Sequence, residues 1–216
     1  SSGKTEIYIK IIEDYLDKEM QVLYLLPEIS LTTQIIQKLK IHFGDKISVF
    51  HSRYSLNERT EVWENIKKNQ NKSRLIVGAR SSVFLPFQNL GLIIIDEEHE
   101  ISYKQQEPSP RYNARDSAIY LSKLNNSKVI LGSATPSIES SFNAKNNKYG
   151  YVKLKERFGN IEMPNIFTID MKNELKHEYS SIFSLRLVEE IEKTIKDGKQ
   201  VILFRNRRGY SPQWLC

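Results

Sequence analysis

Hydrophobic and polar residues alternate with two different periods between residues 5 and 135. Apolar positions recur at helical spacing in four segments, which are 5–19, 31–43, 55–69 and 115–125. Short apolar runs typical of strands fill five others, which are 21–26, 46–50, 74–77, 91–95 and 128–131. Helices and strands that alternate in this way predict an α/β fold in which helices flank a parallel sheet.

The pattern is less regular after Pro136. It predicts a helix over 137–146, strands over 149–154 and 165–170, a polar connection over 171–180, an amphipathic helix over 185–196 and a strand over 200–204. We expect one α/β domain over 1–150, a connection over 151–183 and the opening of a second α/β domain over 184–216. Both ends of the chain are expected to interrupt longer motifs.

Composition narrows the class of protein only slightly. Lys and Arg number 32 against 26 Asp and Glu, giving a net charge of +6. This excess permits a polyanionic partner, although it is also compatible with an ordinary soluble surface. The chain has no apolar run of roughly 18 residues and no signal-peptide pattern, and Cys216 is its only cysteine. We therefore expect a cytoplasmic protein with no membrane partner and no internal disulfide.

The most informative segment is 91–99, an apolar run that ends in Asp-Glu-Glu-His. A short, β-branched run of this kind predicts a strand buried on both faces, and ligands of parallel sheets bind beyond the carboxyl ends of the strands. Asp96, Glu97 and His99 therefore lie where chemistry is expected. Two alternatives remain: a solvated acidic surface, or a zinc or iron site, although no second His or Cys stands at ligand spacing.

Two other strand or helix ends carry residues that suit the same chemistry. Gly3-Lys4-Thr5 leads into a helix and matches the second half of a P-loop, in which the Lys pairs with phosphates and the Thr holds Mg²⁺. In such a site Asp96 would hold Mg²⁺ and Glu97 would polarise the attacking water. Ser133 and Thr135 follow the apolar run 128–131. The alternatives are an exposed tail for the first motif and a capped strand-to-helix turn for the second.

The segment 99–116 is long and polar, yet it contains two tyrosines among basic residues. These are Tyr103, Lys104, Arg111 and Tyr112. Aromatic side chains that alternate with cations are typical of single-stranded nucleic-acid binding, because any base can stack on an aromatic ring. The alternative is a surface loop whose rings pack against their own domain.

In this order the motifs resemble those of the superfamily-two helicases. The matching segments are Gly-Lys-Thr-Glu (3–6), Pro-Glu-Ile-Ser-Leu-Thr (27–32), Val-Gly-Ala-Arg-Ser-Ser (77–82), Asp-Glu-Glu-His (96–99) and Ser-Ala-Thr (133–135). More narrowly, 99–116 and Asn-Arg-Arg-Gly-Tyr (206–210) resemble the aromatic-rich loop and the lead-in to the zinc-binding insertion of the primosomal protein N′ family, the replication-restart helicases of bacteria.

The resemblance implies a RecA-like P-loop motor domain over 1–150 that lacks its first strand and half of its P-loop, with the start of helicase lobe two over 184–216. It implies ATP and Mg²⁺ as cofactors, a nucleotide site at Gly3, Lys4 and Thr5, and magnesium ligands at Thr5 and Asp96. Lys4, Asp96, Glu97 and His99 would form the catalytic set, and His99, Ser133 and Thr135 would couple the nucleotide site to DNA.

The resemblance also implies a set of DNA-binding residues. They are Thr32, Arg80, Ser81, Tyr103, Lys104, Arg111 and Tyr112. Cys216 would be the first zinc ligand of a site that this chain leaves incomplete, so Zn²⁺ is expected only in the intact parent.

The function implied is an ATP-dependent 3′-to-5′ DNA helicase of replication restart. Its expected partners are single-stranded and forked DNA and other primosome or single-strand-binding proteins, and the fragment itself is expected to show weak or no turnover. Two other functions stay open at this point: a P-loop NTPase or kinase unrelated to DNA, and a non-catalytic nucleic-acid-binding module.

Overall fold

The computed structural model describes residues 3–27, 33–154, 164–176 and 183–204. The chain divides into two compact units, Ser1–Ile161 and Glu162–Cys216, which are described separately. This division falls inside the predicted connection 151–183. The predicted start of a second lobe at residue 184 stays a prediction.

The first unit is built on a five-stranded sheet with the order β2-β3-β1-β4-β5, and all its strand pairs are parallel. The strands are β1 (Gln21–Leu25), β2 (Ile47–Phe50), β3 (Leu75–Gly78), β4 (Leu90–Ile95) and β5 (Lys128–Leu131). The predicted α/β fold with a parallel sheet flanked by helices is confirmed, and each of its strands overlaps a predicted one.

Among the described residues of this unit, five α-helices precede, connect and follow these strands. They are α1 (Lys4–Leu16), α2 (Thr33–Phe43), α3 (Leu56–Lys67), α4 (Ala114–Asn125) and α5 (Ile138–Lys145). Side-chain caps define several of their starts: Ser55 and Glu58 form a capping box on α3, while Asn113 and Ser137 cap α4 and α5. The described part of the unit also contains four short 3-10 helices, which are Gly44–Lys46, Asn71–Ser73, Arg80–Phe84 and Ile101–Tyr103.

The three central strands of the sheet, β3, β1 and β4, are buried on both faces, which explains their uninterrupted apolar runs. Alternate residues of β1 enter two separate core clusters: Tyr24 packs with residues of α1 and α2, and Leu23 packs with residues of α3 and α4. Each fully buried aliphatic side chain contributes about 1.5–3 kcal/mol through its removal from water. The three central strands are therefore held firmly, and the positions of the residues that follow them are well defined.

The strands end together at one edge of the sheet. Leu25 is aligned with both Gly78 and Ile95, and Ile95 is aligned with Leu131. Asp96 and Gly132, which come next in the chain, consequently lie side by side at the carboxyl edge of the sheet.

The second unit contains α6 (Met171–Lys176) and α7 (Leu185–Lys196) among its described residues. Ser184 caps α7 by accepting a hydrogen bond from the Leu187 N–H at 3.2 Å. The Arg186 guanidinium lies 3.8 Å from the centre of the Phe167 ring, a cation–π contact.

Three predicted strands are wrong. Residues 149–154, 165–170 and 200–204 have irregular backbone, and α6 occupies the first part of the predicted polar connection 171–180. The apolar side chains that suggested strands, such as Val152, Ile166 and Ile202, are more than three-quarters exposed. A strand forms only where a neighbour completes its ladder, and in the described part of the chain these segments pair with none.

In the part of the chain that the structure describes, no helix combines the length and apolar character needed to cross a membrane.

Candidate active site

Three hydrogen-bond donors from three parts of the fold orient the Asp96 carboxylate. Its Oδ1 accepts from the Glu97 N–H at 3.0 Å and from the Tyr8 hydroxyl of α1 at 3.4 Å. Its Oδ2 accepts from the Tyr24 hydroxyl of β1 at 3.3 Å. The two tyrosine rings meet edge to face, 5.8 Å apart. Asp96 is thus held in one orientation by the Glu97 backbone and by two tyrosines, Tyr8 and Tyr24, that the sequence motifs did not single out.

Lys4, the first residue of α1, lies next to the carboxylates of Asp96 and Glu97. Its Nζ is 3.0 Å from Glu97 Oε1 and 3.6 Å from Asp96 Oδ1. Gly3 precedes it with a left-handed backbone, φ +75°, and Thr5 follows in the first helical turn. The structure therefore brings together residues from two sequence motifs more than 90 positions apart, as the P-loop interpretation requires.

Glu97 itself has a left-handed backbone, with φ 48°. This conformation costs a non-glycine residue of the order of 1–2 kcal/mol, and it belongs to the tight turn that follows β4. Strain of this kind persists where the surrounding structure demands it, and active sites are frequent places for it.

His99 links this turn to the residues after β5. Its Nδ1 is 2.7 Å from Ser133 Oγ, and its Nε2 is 3.4 Å from Thr135 Oγ1. The Thr135 N–H donates to Ser133 Oγ at 3.0 Å, and His99 Nδ1 lies 3.7 Å from Glu97 Oε2. The three predicted coupling residues therefore form one cluster next to Glu97. Their role in coupling stays a prediction.

Glu98 is a carboxylate of the same turn to which the sequence motifs assigned no role in the ATP chemistry. Its side chain is buried, and it accepts hydrogen bonds from Arg115 of α4 and from Ser137 and Ser140 at the start of α5. These partners lie 17, 39 and 42 positions away. The Asp-Glu-Glu-His motif does not indicate these partners. The sequence contained no other sign of them than Ser and Arg residues at the starts of two helices.

Tyr103 corrects one of the DNA-binding predictions. It is only 1% exposed, and its hydroxyl donates to the backbone carbonyls of Leu25 at 3.1 Å and Asp96 at 2.7 Å. A ring inside the core offers no face for a base to stack on. Because its hydroxyl bridges the ends of β1 and β4, Tyr103 instead supports the backbone of the carboxylate turn.

The rest of the predicted DNA-binding loop, residues 104–113, lies on the surface. Lys104 Nζ donates to the Arg111 carbonyl at 2.6 Å, and Lys104 forms an isolated antiparallel bridge with Asn113. The Tyr112 ring packs edge to face against Phe84, with centroids 4.7 Å apart, and Phe84 is 55% exposed. Two exposed cations and an aromatic pair therefore share this surface.

The segment after β3 approaches the base of the same loop. Arg80 Nη1 donates to the Ser102 carbonyl at 3.3 Å, and Ser81 is exposed. Thr32 and Cys216, predicted to bind DNA and zinc, lie outside the described residues.

The partly buried carboxylate of Asp96 and the buried carboxylate of Glu98 differ in their electrostatics. Burial raises the pKa of Asp96 above its ordinary value, and the neighbouring Lys4 ammonium only partly opposes this effect. Burial would also raise the pKa of Glu98, but hydrogen bonds from Ser137, Ser140 and Arg115 outweigh it and hold that pKa below its ordinary value. Glu98 is thus the more firmly ionised of the two.

The residues present fit a magnesium–nucleotide complex. No group of three or more His, Cys, Asp or Glu side chains within residues 3–27, 33–154, 164–176 and 183–204 is arranged to hold a metal alone. Mg²⁺, however, commonly binds through one or two carboxylates plus substrate phosphates. Asp96 offers such a carboxylate, and Lys4 and the amino end of α1 offer positive charge for phosphates.

Comparison with known proteins assigns the class. The DEAD/DEAH box helicase family matches residues 1–142, and the chain belongs to this family. It is also 46% identical, over 215 residues, to the replication restart protein PriA of Bacillus subtilis and to that of Rickettsia prowazekii. The predicted resemblance to superfamily-two helicases and to the bacterial replication-restart proteins is thereby confirmed.

The extent of these matches is uneven. They include all of this chain but only 26% of the Bacillus protein and 33% of the Rickettsia protein, so the chain spans about a quarter to a third of these relatives. Among solved structures, that of RecG bound to a three-way DNA junction matches 67% of this chain and 18% of its own, with 20% identity and a TM-score of 0.47.

Proposed function

We propose that this chain is the ATP-hydrolysing part of a DNA helicase that acts in replication restart with 3′-to-5′ polarity. The observation that supports this most directly is the meeting of Lys4 with Asp96 and Glu97 at the carboxyl edge of the sheet. Family membership and the identity to PriA proteins agree with it.

Each residue of the site has a distinct role in this proposal. Bound Mg²⁺–ATP supplies the phosphoryl group and the divalent charge. Lys4 would bind the phosphates, and Asp96 and Thr5 would hold the metal. Glu97 would orient the attacking water and accept its proton, because it is the carboxylate next to Asp96 at the end of β4. His99 relays the state of Glu97 to Ser133 and Thr135 through the short contacts described above.

Single-stranded DNA is the proposed partner of the surface beside this site. Arg80, Ser81 and, by sequence, Thr32 would contact the phosphate backbone, which positions DNA without reading its sequence. Lys104, Arg111 and Tyr112 would contact DNA from the loop 104–113. The pairing of Tyr112 with exposed Phe84 supports this, because aromatic surfaces beside cations suit base stacking.

The longer protein would supply the remaining parts. We propose that residues 1–150 and 184–216 belong to helicase lobes one and two, joined by 151–183. Cys216 would enter a zinc site completed by later cysteines, and forked DNA and other restart proteins would be the partners. Such a protein would act in the cytoplasm, where bacterial chromosomes replicate.

The Glu97→Gln substitution tests the proposed chemistry in the full-length protein. Gln keeps the size of the side chain but cannot accept a proton, so we expect ATP turnover to fall at least about 100-fold, with ATP and DNA binding retained. Glu100→Gln, at an exposed neighbour, is the matched control and should change turnover less than twofold.

The same assay separates the alternatives when it is run with and without single-stranded DNA. A helicase motor requires turnover that DNA stimulates. An NTPase or kinase unrelated to DNA would turn over at one rate in both conditions, and a non-catalytic binding module would show no turnover that Glu97→Gln could remove.

A further inference from the structure

Glu98 is the most enclosed carboxylate of the Asp-Glu-Glu-His turn, and the proposed ATP chemistry does not use it. It is 3% exposed. Its Oε2 accepts from Arg115 Nη1 at 3.1 Å, Ser137 Oγ at 3.0 Å and Ser140 Oγ at 2.9 Å. Its Oε1 accepts from the Ser137 N–H at 2.7 Å. A buried carboxylate that accepts four hydrogen bonds from the starts of two helices has a structural role and is not an ordinary surface charge.

The partners of Glu98 stand at the ends of the two segments that flank the ATP site. Arg115 is in the first turn of α4, directly after the loop 104–113, and its N–H is bound by the Asn113 cap at 3.0 Å. Ser137 is the cap of α5 and follows Ser133 and Thr135 by only a few residues. Glu98 therefore connects the end of the loop 104–113 to the segment that contains Ser133 and Thr135.

The backbone of Glu98 adds a third connection. Its N–H donates to the Gly132 carbonyl at 3.0 Å, and its peptide neighbours are Glu97 and His99. Charge-assisted hydrogen bonds inside a protein resist separation, because a displaced Arg115 would leave a buried carboxylate unpaired. The loop end, the turn 96–99 and the start of α5 are consequently expected to shift together.

We propose that Glu98 is a positioning residue that couples the loop 104–113 to Glu97 and to Ser133–Thr135, so that DNA bound at the loop changes ATP turnover. This inference rests on the proposed function. It adds a structural connection between the DNA-binding loop and the ATP site, which runs through the Glu98 carboxylate and the starts of α4 and α5. The contact of His99 with Ser133 is a separate connection within the same cluster.

The test is the ratio of DNA-stimulated to basal ATP turnover in the full-length protein carrying Glu98→Gln. Gln presents an amide N–H to at least one of the four donors and cannot pair with the Arg115 charge. We expect the ratio to fall at least tenfold, through kcat in the presence of single-stranded DNA. The DNA concentration for half-maximal stimulation should change less than threefold.

Glu139→Gln is the matched control. Glu139 Oε2 lies 4.0 Å from the same Arg115 Nη1, but its side chain is 70% exposed. The substitution therefore removes a negative charge near Arg115 without breaking the hydrogen bonds of Glu98. The ratio should change less than twofold. A second variant, Ser140→Ala, removes one donor and keeps the ion pair; it should lower the ratio about threefold, and it decides the question if Glu98→Gln does not fold.

The outcomes distinguish this inference from the proposed function. If basal and DNA-stimulated turnover fall by the same factor, or if neither changes, Glu98 does not couple the two sites. If the wild-type protein hydrolyses ATP without DNA stimulation, the proposed function fails and the coupling role fails with it.

Discussion

Gly132 occupies a position where any side chain would collide with the site. A Cβ built there would lie 1.7 Å from the Tyr8 hydroxyl oxygen and 3.3 Å from Asp96 Oδ1. Because that hydroxyl donates to Asp96, the residue after β5 controls how closely α1 approaches the carboxylate. Close packing against Tyr8 therefore explains why a glycine stands at the end of β5.

We expect Gly132→Ala to destabilise the first unit by about 2–3 kcal/mol, a range typical of overpacked cores. It should also displace Tyr8 from Asp96 and reduce ATP turnover. Thermal unfolding and steady-state ATPase assays of the full-length protein measure both effects. Gly150→Ala is the control, because nothing lies within 4 Å of a Cβ at that position. Equal stability of the two variants would contradict the packing argument.

Glu98 makes acid stability sensitive to one carboxyl group. Its folded-state pKa lies below the ordinary value of 4.5, so its ionised form stabilises the fold. That contribution is complete above pH 4.5 and is lost as the pH falls through the folded pKa. Asp96 acts in the opposite direction, because its raised pKa makes its ionisation unfavourable to folding.

We therefore expect Glu98→Gln to lower stability by about 3 kcal/mol at pH 7, the scale of breaking a buried ion pair. The difference from wild type should shrink as the pH falls below 4.5. Unfolding midpoints measured at pH 7 and pH 3 test this. A difference that stays constant across that range would show that the loss comes from packing rather than from charge.

At the scale of elements, the loop 104–113 has two kinds of tyrosine at or near its ends. Tyr103 is buried and supports the backbone at Asp96, while Tyr112 pairs with exposed Phe84. The sequence could not distinguish them, because a tyrosine in an irregular segment has no periodicity that indicates which way it points. Only the packing of the 3-10 helix Ile101–Tyr103 beneath β1 and β4 decides it.

This difference predicts two distinct phenotypes. Tyr112→Ala should reduce DNA-stimulated turnover at least fivefold more than basal turnover, since stacking is worth about 1–3 kcal/mol per base. Tyr103→Phe should instead lower stability by about 1 kcal/mol, the usual scale of one hydrogen bond. ATPase assays with and without DNA, together with thermal unfolding, separate the two.

Tyr120→Ala is the control for Tyr112, because it removes an exposed tyrosine of α4 that lies outside the loop. It should leave the ratio of stimulated to basal turnover unchanged. If Tyr120→Ala reduced that ratio as much as Tyr112→Ala, the effect would belong to surface tyrosines in general and not to the loop.

The strands show what a sequence pattern can and cannot predict. β1 and β4 are predictable because a run that is apolar on both faces has few alternatives to a central strand. The predicted strand 200–204 has the same local character, yet it is irregular and Ile202 is 93% exposed. A strand depends on a neighbour, and neighbours are set by tertiary structure.

The candidate site divides in the same way. Lys4, Asp96 and Glu97 could be predicted because each occupies a strand or helix end, and such ends meet at one edge of a parallel sheet. The tyrosines that orient Asp96 could not, since Tyr8 and Tyr24 have the spacing of ordinary core residues. Their hydroxyls gain a role only when α1 packs over β1 and β4.

At the scale of the whole molecule, the position of β5 limits what this chain should do alone. In the described sheet β5 pairs with β4 on one side only, and its residues are exposed or partly exposed, whereas β1, β3 and β4 are fully buried. Ser133 and Thr135 follow β5 directly. The cluster of His99, Ser133 and Thr135 thus depends on the least supported strand of the site.

We therefore expect the isolated 216-residue chain to hydrolyse ATP at no more than about 1% of the rate of the full-length protein, a loss worth about 2.7 kcal/mol in transition-state stabilisation. The relatives that match this chain are three to four times as long as it is. Steady-state ATPase assays of both proteins with single-stranded DNA measure the difference, with Glu97→Gln as the background control. DNA-stimulated turnover by the isolated chain at a comparable rate would mean that these 216 residues suffice for catalysis.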